Sequence, residues 1–159
     1  MLTVDEQKAA AINVGGRGGK EAVLLPLFKE SLQRVSAPLY DATSVCGEKF
    51  EFKKQANTQW FDLPKYYNLT NEDKKINMIF VLHKDGKVQK IASVKLGDMI
   101  ERLLDNPKYT DMGWTSEMLE SLYHLKKRHP RFQAKVGLDT KPFLTDNKDI
   151  VKVIYDAEC

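Results

Sequence analysis

The stretch Tyr40-Asp41-Ala42-Thr43-Ser44-Val45-Cys46-Gly47-Glu48-Lys49-Phe50-Glu51-Phe52-Lys53-Lys54 decides how the rest of the chain is read. From Phe50 to Lys53 apolar and charged residues alternate. Side chains of a strand alternate between its two faces, so Phe50 and Phe52 are predicted to enter a core while Glu51 and Lys53 share the opposite face. Gly47 and its polar neighbours predict a turn that folds this strand back against Val35 to Asp41, bringing Asp41 to the same edge. Two carboxylates and one ammonium then meet at one spot.

Two close carboxylates repel, and a hard divalent cation relieves that repulsion most simply. Mg²⁺ favours one or two carboxylates with room left for waters and a substrate phosphate. Such an ion makes water a usable nucleophile near neutral pH, and Lys53 beside it would orient that water or steady charge on a phosphate. The chemistry this implies is phosphodiester hydrolysis. An acid followed two residues later by Lys carries nothing by itself, because Glu6-Gln7-Lys8, Glu72-Asp73-Lys74, Asp85-Gly86-Lys87 and Asp146-Asn147-Lys148 share it. Glu51-Phe52-Lys53 differs by lying on an alternating strand after a turn, with an acid just before that turn.

Asp41, nine residues, then Glu51-Phe52-Lys53 resembles the signature of the PD-(D/E)xK nuclease superfamily, with Leu39-Tyr40-Asp41 in place of the frequent Pro-Asp and Pro38 slightly displaced. Within it the chain is similar to PvuII-like type II restriction endonucleases. The similar features are Gly18-Gly19-Lys20 opening a helix about twenty residues before Asp41, the Asp41 to Lys53 hairpin, a strand at Met78 to Leu82 followed by a second strand, and a closing strand. The resemblance covers residues from about 15 to 156. It implies that Asp41 and Glu51 hold Mg²⁺ with the carbonyl of Phe52, that Lys53 assists the attacking water, and that a homodimer cuts both strands of double-stranded DNA.

The chain as a whole sets compatible bounds. Its 159 residues, 42% of them hydrophobic, suit one domain with one core. No apolar run approaches the length that crosses a bilayer, and Met1-Leu2-Thr3-Val4-Asp5-Glu6 does not read as a signal peptide, so no membrane partner and a cytoplasmic location are expected. Cys46 and Cys159 form neither a metal pattern nor a disulfide framework and are read as thiols. A net charge of +3 permits a polyanionic partner without demanding one. The basic residues fall into three patches: Arg17, Lys20 and Lys29; Lys49, Lys53 and Lys54; and Lys126, Lys127, Arg128, His129, Arg131 and Lys135. A charge run is more often a solvated face, but three patches in a candidate nuclease favour phosphate contacts.

In chain order, Asp5 to Ile12 reads as a short helix stopped by Asn13-Val14-Gly15-Gly16, and Gly15, Gly16, Gly18 and Gly19 surround Arg17 in a loop that lets backbone and Arg approach nucleic acid. Gly19 to Val35 repeats apolar residues at helical spacing and is predicted as the core helix, with Pro26 kinking it or marking its first turn. Gln55 to Asp62 is read as a loop whose Gln55, Asn57, Thr58 and Gln59 could pair with base edges. Pro64 to Tyr67 suggests a short helix. Ile76 to Leu82 and Lys87 to Val94 form a hairpin about His83-Lys84-Asp85-Gly86, placed beside Phe50 to Lys54 in the central sheet. Leu96 to Leu104 is a helix, and Thr115 caps a longer one through about Arg128, with Met118, Leu119, Leu122 and Leu125 as its buried stripe. That helix has no clear counterpart in the resembled enzymes. Gly137 to Lys148 reads as a polar loop whose Thr140 and Lys141 stand, by resemblance, at a second base-reading position, and Ile150 to Tyr155 is the last strand.

The expected fold is therefore α/β, a mixed central β-sheet flanked by helices of restriction-endonuclease type. The expected function is a Mg²⁺-dependent type II restriction endonuclease cutting a short palindrome, with Arg17, Lys20, Gln55, Asn57, Thr58, Gln59, Thr140 and Lys141 on the DNA. The alternatives are a homing, repair or phage-encoded endonuclease of the same superfamily, or a DNA-binding module without catalysis.

Overall fold

In the computed structural model the described residues are 33–157, apart from 45, 56–57, 85–86, 107 and 112–113. The helix at Asp5 to Ile12, the glycine loop with Arg17 and Lys20, Asn57, the Asp85-Gly86 turn and Cys159 lie outside them. A six-stranded mixed sheet organises the chain in the spatial order β1 (Gln33–Arg34), β2 (Ala42–Thr43), β3 (Lys49–Gln55), β5 (Asn77–Lys84), β6 (Lys87–Lys95), β8 (Val151–Asp156). Only β3 and β5 run parallel; every other neighbouring pair is antiparallel. A second sheet is the ribbon of β4 (Thr58–Asp62) and β7 (Lys135–Asp139). Helices α1 (Asn71–Lys74), α2 (Leu96–Leu103), α3 (Ser116–Arg128) and α4 (Thr140–Asp146) complete the α/β fold. Among the described residues no helix is long and apolar enough to cross a membrane.

The central strands are buried on both faces, as the run Met78-Ile79-Phe80-Val81-Leu82 demands. Met78, Phe80, Ala92 and Val94 belong to the main core with Phe61, Trp114, Val136, Leu138 and Phe143; Ile79, Val81 and Ile91 are buried on the other face. Asn77, also buried, donates to the carbonyl of Lys49 at 3.0 Å and accepts from the Lys95 ammonium at 2.7 Å. One amide thus locks the starts of β3 and β5 to the end of β6.

Several expectations are corrected. The helix expected from Gly19 through Val35 does not include Gln33 and Arg34, which pair as a strand with Thr43 and Ala42; its residues before Gln33 lie outside the described residues. The loop expected at Gln55 to Asp62 contains β4, and that expected at Gly137 to Lys148 is β7 followed by α4. Their alternation is masked in the sequence by exceptions of polarity: Gln59 points inward beside Phe61 while Trp60 is exposed, and buried Gly137 stands between Val136 and Leu138. In α3, capped by the Thr115 hydroxyl accepting from Met118 N–H at 3.1 Å, only Leu119 of the expected stripe is fully buried, with Met118 and Leu122 packed at the margin of the core.

At Gly97 in α2 the space is already taken, since an added Cβ would stand 2.8 Å from Lys74 Cβ and 3.3 Å from the Lys74 carbonyl. A helical Gly→Ala change ordinarily stabilises by about 1 kcal/mol. Here the contact with α1 reverses the sign: Gly97→Ala is expected to cost about 1–2 kcal/mol, seen in thermal unfolding as a fall of roughly 3–6 °C. A rise in Tm would show that α1 is not packed against α2 as described.

Candidate active site

The site is built where β2 runs out. That strand pairs with β3 only at Ala42↔Phe50 and Thr43↔Lys49, after a tight turn in which Gly47 takes φ +83° and donates to the Ser44 carbonyl at 3.0 Å. The left-handed conformation is one that glycine adopts without a Cβ penalty. Beyond Phe50 the edge of β3 has no strand partner in β2, and a side chain substitutes for one. Asp41 N–H donates to the Phe50 carbonyl at 2.7 Å, and the Asp41 carboxylate, through Oδ2, accepts from Phe52 N–H at 3.0 Å. In an extended strand a residue's N–H and C=O project to the same side, so the Phe52 carbonyl faces the edge occupied by Asp41.

The alternation read from the sequence holds at Phe50 and Phe52, which are buried with stacked rings 6.4 Å apart, while Glu51 and Lys53 are half-buried. Their face is not simply a solvent face. Glu51 is in register with Met78 and Lys53 with Phe80, so both stand on the side of the sheet that carries the main core. The ribbon covers this side. Lys53 Nζ donates to the Trp60 carbonyl at 3.3 Å and lies 4.8 Å from the centre of the Phe61 ring. A carbonyl and a ring face both favour an ammonium there.

The carboxylates act on one neighbouring phenol. The Tyr66 phenol, at the end of a 3-10 turn spanning Leu63–Tyr66, is held well above its ordinary pKa, first by burial and then by the negative charges of Glu51, Asp62 and Asp41. One hydroxyl that feels all three places them in a common field. Asp62 has no signal in the sequence beyond an acid following Trp60-Phe61, and Tyr66 stands there only as a residue of the short helix that either touches DNA backbone or packs. Asp62 Oδ1 accepts from Ala134 N–H at 3.1 Å, whereas its Oδ2 is buried without a hydrogen-bond partner among the described residues.

Among the described residues no group of three or more His, Cys, Asp or Glu side chains is arranged to hold a metal ion. Asp41, Glu51 and the Phe52 carbonyl offer two carboxylates and a carbonyl, with the Asp62 carboxylate, whose Oδ2 has no hydrogen-bond partner among the described residues, adding negative charge. All-oxygen, anionic donors of this kind suit a hard divalent cation such as Mg²⁺, which keeps most of its waters.

The expected DNA-contacting residues are dispersed. Thr58 is half-buried on the outer side of the ribbon and Lys141 is exposed on α4. Gln59 is 1% exposed and points into the protein. Thr140 is completely buried and its hydroxyl donates to the Leu138 carbonyl at 3.3 Å. Neither Gln59 nor Thr140 presents a base-reading group at the surface, because each takes an inward position in its element, Thr140 in helical register with Phe143 and Leu144. Gln55 ends β3, and Arg17, Lys20 and Asn57 lie outside the described residues. No protein-family model matches the chain, and neither does any curated protein sequence.

Proposed function

We propose that this chain is a Mg²⁺-dependent endonuclease acting on double-stranded DNA, of the type II restriction kind. The observation that carries the reading is the junction of β2 and β3, where the Asp41 carboxylate is pinned to Phe52 N–H and shares a field with Glu51, one residue from Lys53. In this reading Asp41, Glu51 and the Phe52 carbonyl hold the ion. When bound, the ion supplies Lewis acidity at the scissile phosphate and lowers the pKa of water.

The chain's own groups do the rest. Asp41, fixed at both its N–H and its carboxylate, keeps one donor rigid. Lys53, steered by Trp60 and Phe61, orients the attacking water and opposes the charge growing on the phosphate. One site per chain cuts one strand, so a two-fold pair of chains cuts both and matches a palindrome.

Plasmid incubated with the protein and Mg²⁺ is expected to give discrete linear bands, and EDTA is expected to leave it intact. Lys53→Met should slow cleavage by at least about 100-fold while leaving Mg²⁺ binding by calorimetry close to wild type. Intact plasmid at every protein concentration, with sequence-independent DNA binding retained, would leave a DNA-binding module and remove the enzyme.

A further inference from the structure

A cleft of about 400 Å³ lies between the 3-10 turn and the C-terminal half of α3, lined by Pro64, Lys65, Tyr123, Lys126, Lys127 and Pro130. Its apolar lining is Pro64, which is buried, Pro130 and the ring of Tyr123, which packs against Tyr67 with ring centres 4.9 Å apart. Its rim is cationic. Lys127 Nζ stands 4.8 Å from the centre of the Tyr123 ring, and Lys126 Nζ donates to the Phe132 carbonyl at 2.7 Å, closing the chain that leaves α3. Among the described residues no carboxylate lies within ion-pair distance of Lys65, Lys126 or Lys127.

Basic residues at a helix C-terminus complement its dipole, and this accounts for Lys126 and Lys127. It does not account for Lys65, which comes from another element and converges on the same cleft. Three ammonium groups gathered without an anion among the described residues repel one another, and an anion of extended charge relieves that repulsion. Arg128 and Arg131, both exposed, continue the positive charge beyond the rim.

We infer that this cleft takes the sugar-phosphate backbone of duplex DNA outside the cleaved step, with Lys65 and Lys127 each neutralising a phosphate and Tyr123 packing against sugar. The inference rests on the DNA reading of the site and adds to it a second, sequence-independent contact. Cleft and site flank one element: Lys65 is exposed in the 3-10 turn, and the next residue, Tyr66, is buried where Glu51, Asp62 and Asp41 act on its hydroxyl.

The test is fluorescence anisotropy of a labelled mixed-sequence duplex, with Ca²⁺ in place of Mg²⁺, over a NaCl series. Wild type is compared with Lys65→Ala/Lys127→Ala and with a control pair, Lys84→Ala/Lys152→Ala, exposed elsewhere on the sheet. Each phosphate contact contributes about 0.9 to the slope of log affinity against log salt, so the cleft pair is expected to flatten it by roughly 2 while the control pair leaves it unchanged. The charge-reversed Lys65→Glu/Lys127→Glu variant, with an unaltered thermal transition, should bind at least tenfold more weakly. An unchanged slope in the cleft pair, or equal flattening by the control pair, overturns the inference. Plasmid cleavage is scored in parallel: cleavage by wild type with an unchanged slope in the cleft pair removes the cleft alone, whereas a flattened slope without cleavage removes the nuclease reading alone.

Discussion

Asp41→Asn is expected to abolish measurable DNA cleavage, lowering the initial rate by at least about three orders of magnitude, or ~4 kcal/mol of transition-state stabilisation. The isosteric change isolates charge from fold. The Asp41 side chain accepts the Phe52 N–H, and the carbonyl oxygen of Asn accepts the same bond, so β3 keeps its edge partner. What is lost is one of the two negative donors for the ion. Tm should therefore stay within about 2 °C of wild type, while Mg²⁺ affinity by calorimetry falls at least tenfold. Asp41→Ala separates the two roles from the other side: it removes charge and acceptor together and leaves a half-buried N–H unsatisfied, which adds a stability loss of about 1–2 kcal/mol. If Asp41→Asn kept a tenth or more of the cleavage rate, the ion would have to be held elsewhere and the assignment of the site would fail.

The second large effect concerns Phe61. Its ring is fully buried and touches four partners: Trp114 at 5.6 Å, Tyr66 at 5.7 Å, Phe80 at 6.4 Å and the Lys53 ammonium at 4.8 Å. Through them the ribbon is joined to the central sheet. Phe61→Ala is expected to cost about 3–5 kcal/mol in urea unfolding, because a buried ring leaves a cavity that three other rings cannot close. Against a total stability of roughly 5–15 kcal/mol this is a Tm loss on the order of 10 °C. The milder Phe61→Leu, measured where it is fully folded, should lower the cleavage rate by roughly tenfold at unchanged DNA affinity, because the Lys53 ammonium loses the ring that holds it. A destabilisation below about 1 kcal/mol for Phe61→Ala would mean that the ribbon does not cover the sheet in this way.

The hairpin shows how far local pattern reaches. Alternation from Phe50 to Lys53, a turn at Gly47 and Asp41 ahead of it carry the hairpin in the sequence, although the segment that pairs with β3 is Ala42–Thr43 rather than the expected Val35 to Asp41. The apolar run at Met78 to Leu82 and the Thr115 cap of α3 were legible for the same reason, since each rests on neighbours within one element. Gln59 and Thr140 were misread because type and burial disagree there: a polar residue facing inward looks the same in the sequence as one facing solvent. Asp62, Tyr66 and the cleft beside Lys65 had no local signature.

The sequence by itself determined the alternation of β3, the apolar run of β5, the turn at Gly47 and the sharing of one face by Glu51 and Lys53, because these follow from backbone geometry between near neighbours. Only the tertiary structure decided that this face is also the core face, that the ribbon of β4 and β7 closes over Lys53, and that Asp62 and Tyr66 join the field of Asp41 and Glu51. Those contacts depend on the packing of one sheet on the other, whether the residues are seven positions apart, as Lys53 and Trp60 are, or many more. Their free energy comes from burying Phe61, Trp114 and Phe80 together, a term that no window of local sequence contains.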